Sequence, residues 1–284
     1  MSHPGVVETT SSVLEAPPDN TSVRTTATAM EGAAPATGMN PGSLLARSRE
    51  TRWTPDPNTM LFFGNDEHAS GTEEFRTLRS RLYHLREQQP LSKLLVTSAL
   101  PKEGKSFTAA NLAQVIVRQH GRRVLLIDAD LRNPQLHNML GADPGPGVCE
   151  YLRGEADEYS IMQRGSMENL FFIPAGRVGS DASELLSNGR MKSLFSRLEP
   201  LFDWIILDSA PAVPVSDAAI LSKDCDGILL VVRSNSTPMD AAKRARAEFS
   251  GRHIVGVVLN GITPELSPYM QYYYSADTKL EVNN

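Results

Sequence analysis

The sequence predicts an α/β protein built on a doubly wound, mostly parallel β-sheet. Short runs rich in Val, Ile and Leu alternate with helical segments along most of the chain, which is typical of this fold class. The runs are nearly continuous in apolar residues, as strands covered by helices on both faces require. One run leads directly into a Gly-Lys-Ser turn at residues 104–106. In such sheets, ligands bind beyond the carboxyl ends of the strands.

Composition agrees with a large folded domain and narrows the functional classes. The chain has 284 residues, of which 40% are hydrophobic. Its net charge of −5 argues against a general nucleic-acid binder, because phosphate contacts require a basic surface. Two isolated cysteines, Cys149 and Cys225, favour reduced thiols over a disulfide framework or a zinc site. We see no signal peptide and no apolar run of the ~20 residues that a membrane span needs, so we expect a cytoplasmic protein.

The first 60 residues are expected to be a disordered extension. They are rich in Ser, Thr, Pro, Ala and Gly without periodicity, so they cannot bury enough apolar surface to offset the entropy of ordering. A helix is predicted next, over residues 71–88, with Gly71 or Thr72 able to cap it and two glutamates in its first turn. Its apolar positions recur on one helical face, namely Phe75, Leu78, Leu82 and Leu85.

Alternating strands and helices follow as far as residue 263, so we predict one folded domain over residues 61–263. The predicted strands are 93–99, 122–130, 169–176, 203–210, 226–233 and 253–261, and the predicted helices are 105–119, 182–198, 215–222 and 239–250. The remaining residues, 264–284, contain four closely spaced tyrosines. Pro268 and the polar residues that follow the tyrosines argue against a central strand, so we predict a flexible tail.

The stretch "SALPKEGKSF" after the first of these strands nearly fits the phosphate-loop pattern G-x-x-x-x-G-K-[ST], with alanine at the first glycine position. Gly104 lets the backbone approach a phosphate, Lys105 reaches the β- and γ-phosphates, and Ser106 can ligate Mg²⁺. The N-terminus of the following helix adds its free N–H groups and its dipole. The predicted nucleotide-binding residues are Ala99, Leu100, Pro101, Lys102, Glu103, Gly104, Lys105, Ser106 and Phe107.

Three aspartates end apolar strands. Asp128 and Asp130 close "VLLIDAD", and Asp208 closes "WIILD". Any one of them could cap a helix or a turn, but parallel strands would deliver all three to the edge where the phosphate loop lies. Mg²⁺ bound to a nucleotide is usually held by carboxylates, phosphates and water, and a hydroxyl nucleophile benefits from a carboxylate base. The aspartates therefore predict a magnesium–nucleotide site.

The segments "TSALPKEGKSFTAANLA", "VLLIDADLRNPQLH" and "WIILDSAP" occur in this order. They resemble the Walker A, A′ and B motifs of the bacterial tyrosine kinases (BY-kinases) of capsule and exopolysaccharide biosynthesis, over about residues 72–274. The resemblance implies a P-loop NTPase fold, ATP and Mg²⁺ as cofactors, and autophosphorylation in trans of a C-terminal tyrosine cluster. The implied acceptors are Tyr269, Tyr272, Tyr273 and Tyr274.

The resemblance also implies a role for each matching site residue. Lys105 and Ser106 would bind the ATP phosphates and Mg²⁺. Asp130 and Asp208 would hold the metal, directly or through water. Asp128 would activate the tyrosine hydroxyl. The predicted catalytic residues are Lys105, Asp128, Asp130 and Asp208.

Further matches suggest an additional contact and an interface. Arg132 occupies the family's usual arginine position, where a phosphate contact and a structural ion pair both remain open. Asn260 matches a position that reads the adenine ring, although a turn after the last strand would explain it equally well. Glu73, Arg76 and Arg79 match an E-x-x-R-x-x-R motif that joins subunits into a ring, and their spacing puts them on neighbouring parts of one helical face. A solvated charged face is the alternative.

The family resemblance implies several partners. They are a separate transmembrane polysaccharide co-polymerase adaptor that completes the kinase site, a phosphotyrosine phosphatase and further copies of this chain, but no nucleic acid. The adaptor would recruit the chain to the inner face of the cell membrane. The alternative is a partitioning or positioning ATPase of the ParA/MinD type. Those ATPases carry a second lysine one residue after the first loop position, where this chain has Leu100, and they have no use for a tyrosine tail.

Overall fold

The computed structural model describes residues 45–63, 71–119 and 121–262, all within the unit Met39–Asn284. Its strands are β1 (Arg49–Glu50), β2 (Lys93–Ser98), β3 (Val124–Ala129), β4 (Gln163–Arg164), β5 (Leu170–Ile173), β6 (Trp204–Ser209), β7 (Gly227–Arg233) and β8 (Ile254–Asn260). They form an eight-stranded sheet in the order β1-β4-β5-β3-β6-β2-β7-β8. Only the β4–β5 pair is antiparallel among the strand pairs described. The predicted mostly parallel sheet is confirmed.

Helices cover both faces of this sheet. They are α1 (Thr72–Gln88), α2 (Lys105–Val117), α3 (Leu136–Leu140), α4 (Val148–Arg153), α5 (Glu158–Ile161), α6 (Ala182–Ser187), α7 (Arg190–Leu198), α8 (Asp217–Leu221) and α9 (Met239–Glu248). The segment 182–198, predicted as one helix, is two, because Gly189 between them has a left-handed φ of 80°. Among the described residues, no helix combines the length and apolarity needed to cross a membrane.

The three central strands, β2, β3 and β6, are almost completely buried, which explains their continuous Val/Ile/Leu composition. Alternate residues serve opposite faces. Leu94 and Leu126 pack in the layer that contains α1 and α2, whereas Leu95 and Leu125 pack in the layer that contains α4, α7 and α9. The carboxyl ends of these strands meet at one edge, and the phosphate loop and the aspartates follow from there.

The folded part of the chain begins before residue 60, the predicted end of the disordered extension. Residues 53–63, which we call the strap, lie against α2 with Trp53, Met60 and Phe62 buried. The side chain of Asn111 on α2 accepts a hydrogen bond from Leu61 N and donates one to Thr59 O, both at 2.8 Å. The Ser/Thr/Pro-rich composition of the whole extension concealed these few apolar anchors. Residues 1–44 and the tail from residue 263, including all four predicted acceptor tyrosines, lie outside the described residues.

Candidate active site

The phosphate loop connects β2 to α2 as the sequence predicted. Gly104 has a φ of 99°, and α2 begins at the next residue, Lys105. This φ favours glycine, and a Cβ atom at position 104 would also lie 2.0 Å from the side-chain nitrogen of Asn260, which would have to move. The free N–H groups of the first turn of α2 are therefore available beside the loop, where a phosphate binds.

The loop is held from behind by a buried acid, Glu103. Its carboxylate accepts hydrogen bonds from Leu100 N at 2.9 Å and from the hydroxyl of Thr237. The side chain of Asn260 donates to the backbone oxygen of Glu103 at 2.9 Å. Asn260 thus contacts the loop, and its contact with adenine stays a prediction. Sequence reasoning missed the anchoring role of Glu103, because its partner Thr237 is 134 residues away and no local pattern joins them.

The predicted catalytic side chains come together at the carboxyl edge. Asp128 on β3 pairs in register with Asp208 on β6, so both carboxyls lie at one level of the sheet. Lys105 Nζ lies 2.7 Å from Asp130 Oδ2 and 3.6 Å from Asp208 Oδ1. It also donates to Ser106 Oγ at 3.2 Å. Parallel pairing of β2, β3 and β6 is what assembles residues that are up to about one hundred positions apart.

Burial controls the protonation of this group. It raises the pKa of Asp128 well above its usual value, and the charge of Asp208 adds to the effect. Burial also raises the pKa of Asp208 to about 6, against the opposing charge of Lys105. For Lys105, burial alone would lower the pKa, but the charges of Asp208 and Asp130 outweigh it and the pKa is raised. One permanent cation thus faces three buried acids.

These acids fit a bound cation. Asp128 Oδ1 and both carboxylate oxygens of Asp208 are buried without a hydrogen-bond partner in the described part of the chain. Unsatisfied buried acceptors are costly, and a metal ion would satisfy them. No three His, Cys, Asp or Glu side chains within residues 45–63, 71–119 and 121–262 form a complete metal site. A Mg²⁺ ion here would therefore need phosphate and water oxygens as well, which is its usual manner of binding beside a nucleotide.

Arg132 forms an ion pair, which is one of its two predicted roles. Its Nε donates to Asp217 Oδ2 at 2.7 Å, and its Nη2 donates to Ser183 Oγ at 2.8 Å. Ser183 in turn donates to Asp217 Oδ1 at 2.7 Å. The three side chains connect the segment after β3 with the starts of α6 and α8. Asp217 was not predicted, because an acid in the first turn of a helix is ordinary and gives no sign of a distant partner.

The predicted interface residues lie on α1 and are partly engaged within the chain. Glu73 and Arg76 form an ion pair with each other. Arg79 Nη1 donates to Val115 O, near the end of α2, at 2.8 Å. Glu73 and Arg76 lie at the surface, so a role in subunit contact stays a prediction.

Known proteins resemble this chain in sequence and in fold. The family described as the CobQ/CobB/MinD/ParA nucleotide binding domain matches residues 95–279. The chain is 33% identical over 205 residues to "Tyrosine-protein kinase YwqD" of Bacillus subtilis (strain 168), covering 72% of this chain and 85% of that protein. It is 32% identical over 217 residues to "Tyrosine-protein kinase wzc" of Salmonella typhimurium, covering 76% of this chain but only 30% of that protein.

A solved structure agrees with these relatives. The kinase domain of the Escherichia coli tyrosine kinase ETK matches with a TM-score of 0.66 and 33% identity, over 71% of this chain and 80% of that one. The matching nucleotide-binding family includes the MinD and ParA branch, but the two relatives described above, YwqD and wzc, are named tyrosine kinases, as the three motifs indicated. The chain therefore belongs to the bacterial tyrosine-protein kinases, within the CobQ/CobB/MinD/ParA group of nucleotide-binding domains.

Proposed function

We propose that this chain uses ATP and Mg²⁺ to phosphorylate tyrosine, and that its acceptors are the tyrosines of residues 269–274 in another copy of itself. One observation carries the proposal: Lys105, opening a helix directly after the phosphate loop, lies 2.7 Å from Asp130 at the level where Asp128 pairs with Asp208. A phosphoryl-transfer site needs this combination of loop, cation and acids. Membership of the tyrosine-kinase family supports tyrosine as the acceptor.

The geometry supports the following nucleotide contacts as part of this proposal. The loop backbone and Lys105 bind the phosphates, and Ser106, Asp130 and Asp208 hold Mg²⁺ directly or through water. When bound, Mg²⁺ neutralises phosphate charge and lowers the pKa of the carboxyls beside it. Glu103 keeps the loop in the conformation that presents its N–H groups, through the hydrogen bonds of its carboxylate to Leu100 N and Thr237.

Asp128 is the proposed base. Its Oδ2 accepts a hydrogen bond from Leu136 N at 3.0 Å, while its Oδ1 has no partner in the described part of the chain. The tyrosine oxygen forms a bond to the γ-phosphorus as the bond from that phosphorus to the bridging oxygen breaks. ADP leaves with the bonding electron pair, and Asp128 takes the phenolic proton.

Phosphotyrosine formation tests the proposal directly. Purified chain incubated with ATP and Mg²⁺ should gain phosphate on tyrosines within residues 269–274, mapped by mass spectrometry. Lys105→Met should abolish the gain, because it removes the cation that contacts both the acids and the phosphates. Lys192→Met is a matched control, since this lysine is exposed on α7 and belongs neither to the phosphate loop nor to the group of acids.

Two results would separate the possible functions. ATP hydrolysis without phosphotyrosine, even with the cytoplasmic segment of a membrane partner added, would replace the kinase assignment with a ParA/MinD-type ATPase. Phosphotyrosine formation that survives Lys105→Met would show that another site performs the transfer.

The wider role that we propose is regulation of exopolysaccharide or capsule synthesis and export. It includes a ring of subunits joined through Glu73, Arg76 and Arg79, and a separate transmembrane co-polymerase adaptor that recruits the chain to the inner face of the membrane. A phosphotyrosine phosphatase would reverse the modification. Family membership supports this role, and YwqD, most of which this chain spans, supports a kinase chain of about this extent.

A further inference from the structure

A basic groove lies at the opposite edge of the sheet from the phosphate loop. It has a volume of about 610 Å³ and is formed where α9 turns into β8. Lys243 and Arg246 line it from α9, Arg252 and His253 from the turn, and Ile254 from the first position of β8. Because parallel strands begin at one edge and end at the other, this groove is separated from the nucleotide site by the length of β8.

Three cationic side chains of this groove have no partner among the described residues. Within the ranges 45–63, 71–119 and 121–262, the side chains of Lys243, Arg246 and Arg252 form no ion pair and no hydrogen bond, and all three are exposed. The whole chain carries a net charge of −5, so three unpaired cations around one concavity are a marked local excess. A groove with this lining fits an anionic group, and arginine clusters are the common means of holding phosphate esters.

An exposed apolar track connects the groove to the point where the tail begins. Val257 and Leu259 on β8 are 61% and 52% exposed. They pair in register with Leu230 and Val232 of β7, which pack in the same layer as α9. Paired residues of parallel strands point to one face, so Val257 and Leu259 lie on the α9 face, between Ile254 at the groove and the end of β8.

The tail is long enough to run along this track from the carboxyl end of β8 back to the groove. β8 has seven residues and spans about 23 Å. The described chain ends at Ile262, and the ten residues from there to Tyr272 reach at most about 33 Å when extended. Tyr269 reaches the groove only when nearly fully extended, whereas Tyr272, Tyr273 and Tyr274 reach it with residues to spare.

We infer that the groove of Lys243, Arg246 and Arg252 binds the chain's own tail once Tyr272, Tyr273 or Tyr274 is phosphorylated, a role that rests on the proposed autophosphorylation. Each phosphorylation adds roughly −1.5 to −2 charges at pH 7. The phosphate contacts the cations, while tyrosine rings of the tail lie on Val257 and Leu259. The product tail is thereby held away from the carboxyl edge, and active sites are left to unphosphorylated tails.

The composition of α9 favours a phosphorylated side chain over a membrane surface as the partner of the groove. A helix that lies on anionic lipid presents a polar, basic face beside a broad apolar one. On α9, Met239 is the sole large apolar residue exposed among its described positions, and Asp240 and Glu248 share its outer surface. Lipid binding is therefore treated as the competing outcome.

Binding of a synthetic peptide tests the groove. The probe is residues 266–277 with phosphotyrosine at positions 272–274, labelled with a fluorophore and titrated with the full chain after phosphatase treatment. We expect the phosphopeptide to bind at least about tenfold more tightly than the unphosphorylated peptide. Lys243→Ala with Arg246→Ala should remove at least about tenfold of that affinity, because two charge-assisted contacts are lost.

Arg244→Ala provides the matched control. It removes one positive charge from the same helix, but Arg244 does not line the groove and is spaced four residues from both Asp240 and Glu248. The affinity of the Arg244→Ala variant for the phosphopeptide should differ from that of the parent chain by less than about twofold. Equal losses for Arg244→Ala and the groove variant, or equal binding of both peptides, would overturn the inference. So would Lys243- and Arg246-dependent binding to phosphatidylserine vesicles without phosphopeptide binding, which would assign the surface to lipid.

A second experiment tests whether the chain's own tail occupies the groove. It uses a chain to which a tail carrying phosphotyrosine has been joined by chemical ligation. This chain should bind the added phosphopeptide at least about tenfold more weakly than the same chain with an unphosphorylated tail. Equal binding by the two chains would show that the tail does not occupy the groove. Neither experiment requires kinase activity, so failure of the groove and failure of the proposed kinase function would be seen separately.

Discussion

At the scale of single residues, the active edge places two carboxyls where a fold without a ligand would avoid them. Asp128 and Asp208 are fully buried on neighbouring strands, and three of their four oxygens lack a hydrogen-bond partner in the described part of the chain. Burial of unpaired carboxylates destabilises a protein. Lys105 offsets part of this cost, through its contacts with Asp130 and Asp208. The part of this energetic cost that Lys105 does not offset is typical of a site that is completed by its ligand.

Asp208→Asn should therefore stabilise the nucleotide-free chain above pH 6. The pKa of Asp208 is raised from 3.8 to about 6, so the cost of ionising it in the fold builds up between these two pH values and is complete above about pH 6. We expect the variant's free energy of unfolding to exceed that of the parent chain by about 1–3 kcal/mol at pH 8. The difference should shrink as the pH falls through 6 and vanish near pH 4, where both folded chains are neutral at this position. Urea unfolding at several pH values measures it.

Asp203→Asn is the control of opposite sign. The pKa of Asp203 is lowered, because hydrogen bonds from Arg123 N and Arg122 outweigh the effect of its partial burial. Its charge therefore stabilises the fold above its unfolded pKa, and the variant should be less stable at pH 8. A loss of stability in Asp208→Asn at pH 8 would contradict the assignment of an energetic cost to this buried carboxylate.

At the scale of elements, α2 is an unusually enclosed helix. The sheet, α1 and the strap cover it, and its buried polar residues include Asn111 and Gln114. Their side chains accept hydrogen bonds from the strap backbone, at Leu61 N and Phe62 N. Because buried polar groups are normally hydrogen-bonded, these two side chains favour a covering segment with free backbone N–H groups, and the strap provides it. The strap thus supports the helix whose first turn binds phosphate.

Trp53→Ala should destabilise the chain by about 3–5 kcal/mol, the usual cost of removing a large buried aromatic side chain. The Trp53 ring packs edge-on against Phe172 of β5 with ring centroids 6.3 Å apart, and it occupies the space beside Gly165, where a Cβ would lie 2.1 Å from the ring. Equilibrium unfolding in urea measures the loss of unfolding free energy. The comparison is valid if the dependence of that free energy on urea concentration is the same for both chains. Trp53→Phe keeps an aromatic ring and should lose less. A change below about 0.5 kcal/mol for Trp53→Ala would show that the strap is not part of the cooperative unit.

At the scale of the whole molecule, the two edges of the sheet have opposite chemistry. The carboxyl edge carries the phosphate loop and the acids, and the other edge carries the basic groove of Lys243, Arg246 and Arg252. The described chain ends beside the first of these edges, at Ile262, and its tail is long enough to reach the second. Phosphorylation would thus change which edge attracts the tail.

The proposed ring makes a prediction at this scale. Substituting Glu73, Arg76 and Arg79 by Ala should lower the oligomeric mass measured by light scattering and slow phosphorylation between subunits. Arg81→Ala removes an exposed charge from the same helix and should leave the mass unchanged. Since Arg79 also bonds to Val115 O, the unfolding midpoint of each variant must be measured beside its mass. An unchanged mass in the triple variant would show that α1 is not the interface.

The sequence by itself determined the parallel sheet and the chemistry of its active edge. Continuous apolar strands require cover on both faces, and the phosphate-loop pattern is local, so Lys105, Asp128, Asp130 and Asp208 could be recognised from short segments. Tertiary structure decided what depends on distant partners. The hydrogen bonds of Glu103 to Thr237 and of Arg132 to Asp217, and the strap on α2, join residues 50 to 134 positions apart. No local periodicity encodes such pairs, and only the packing of helices on the sheet brings them within hydrogen-bond distance.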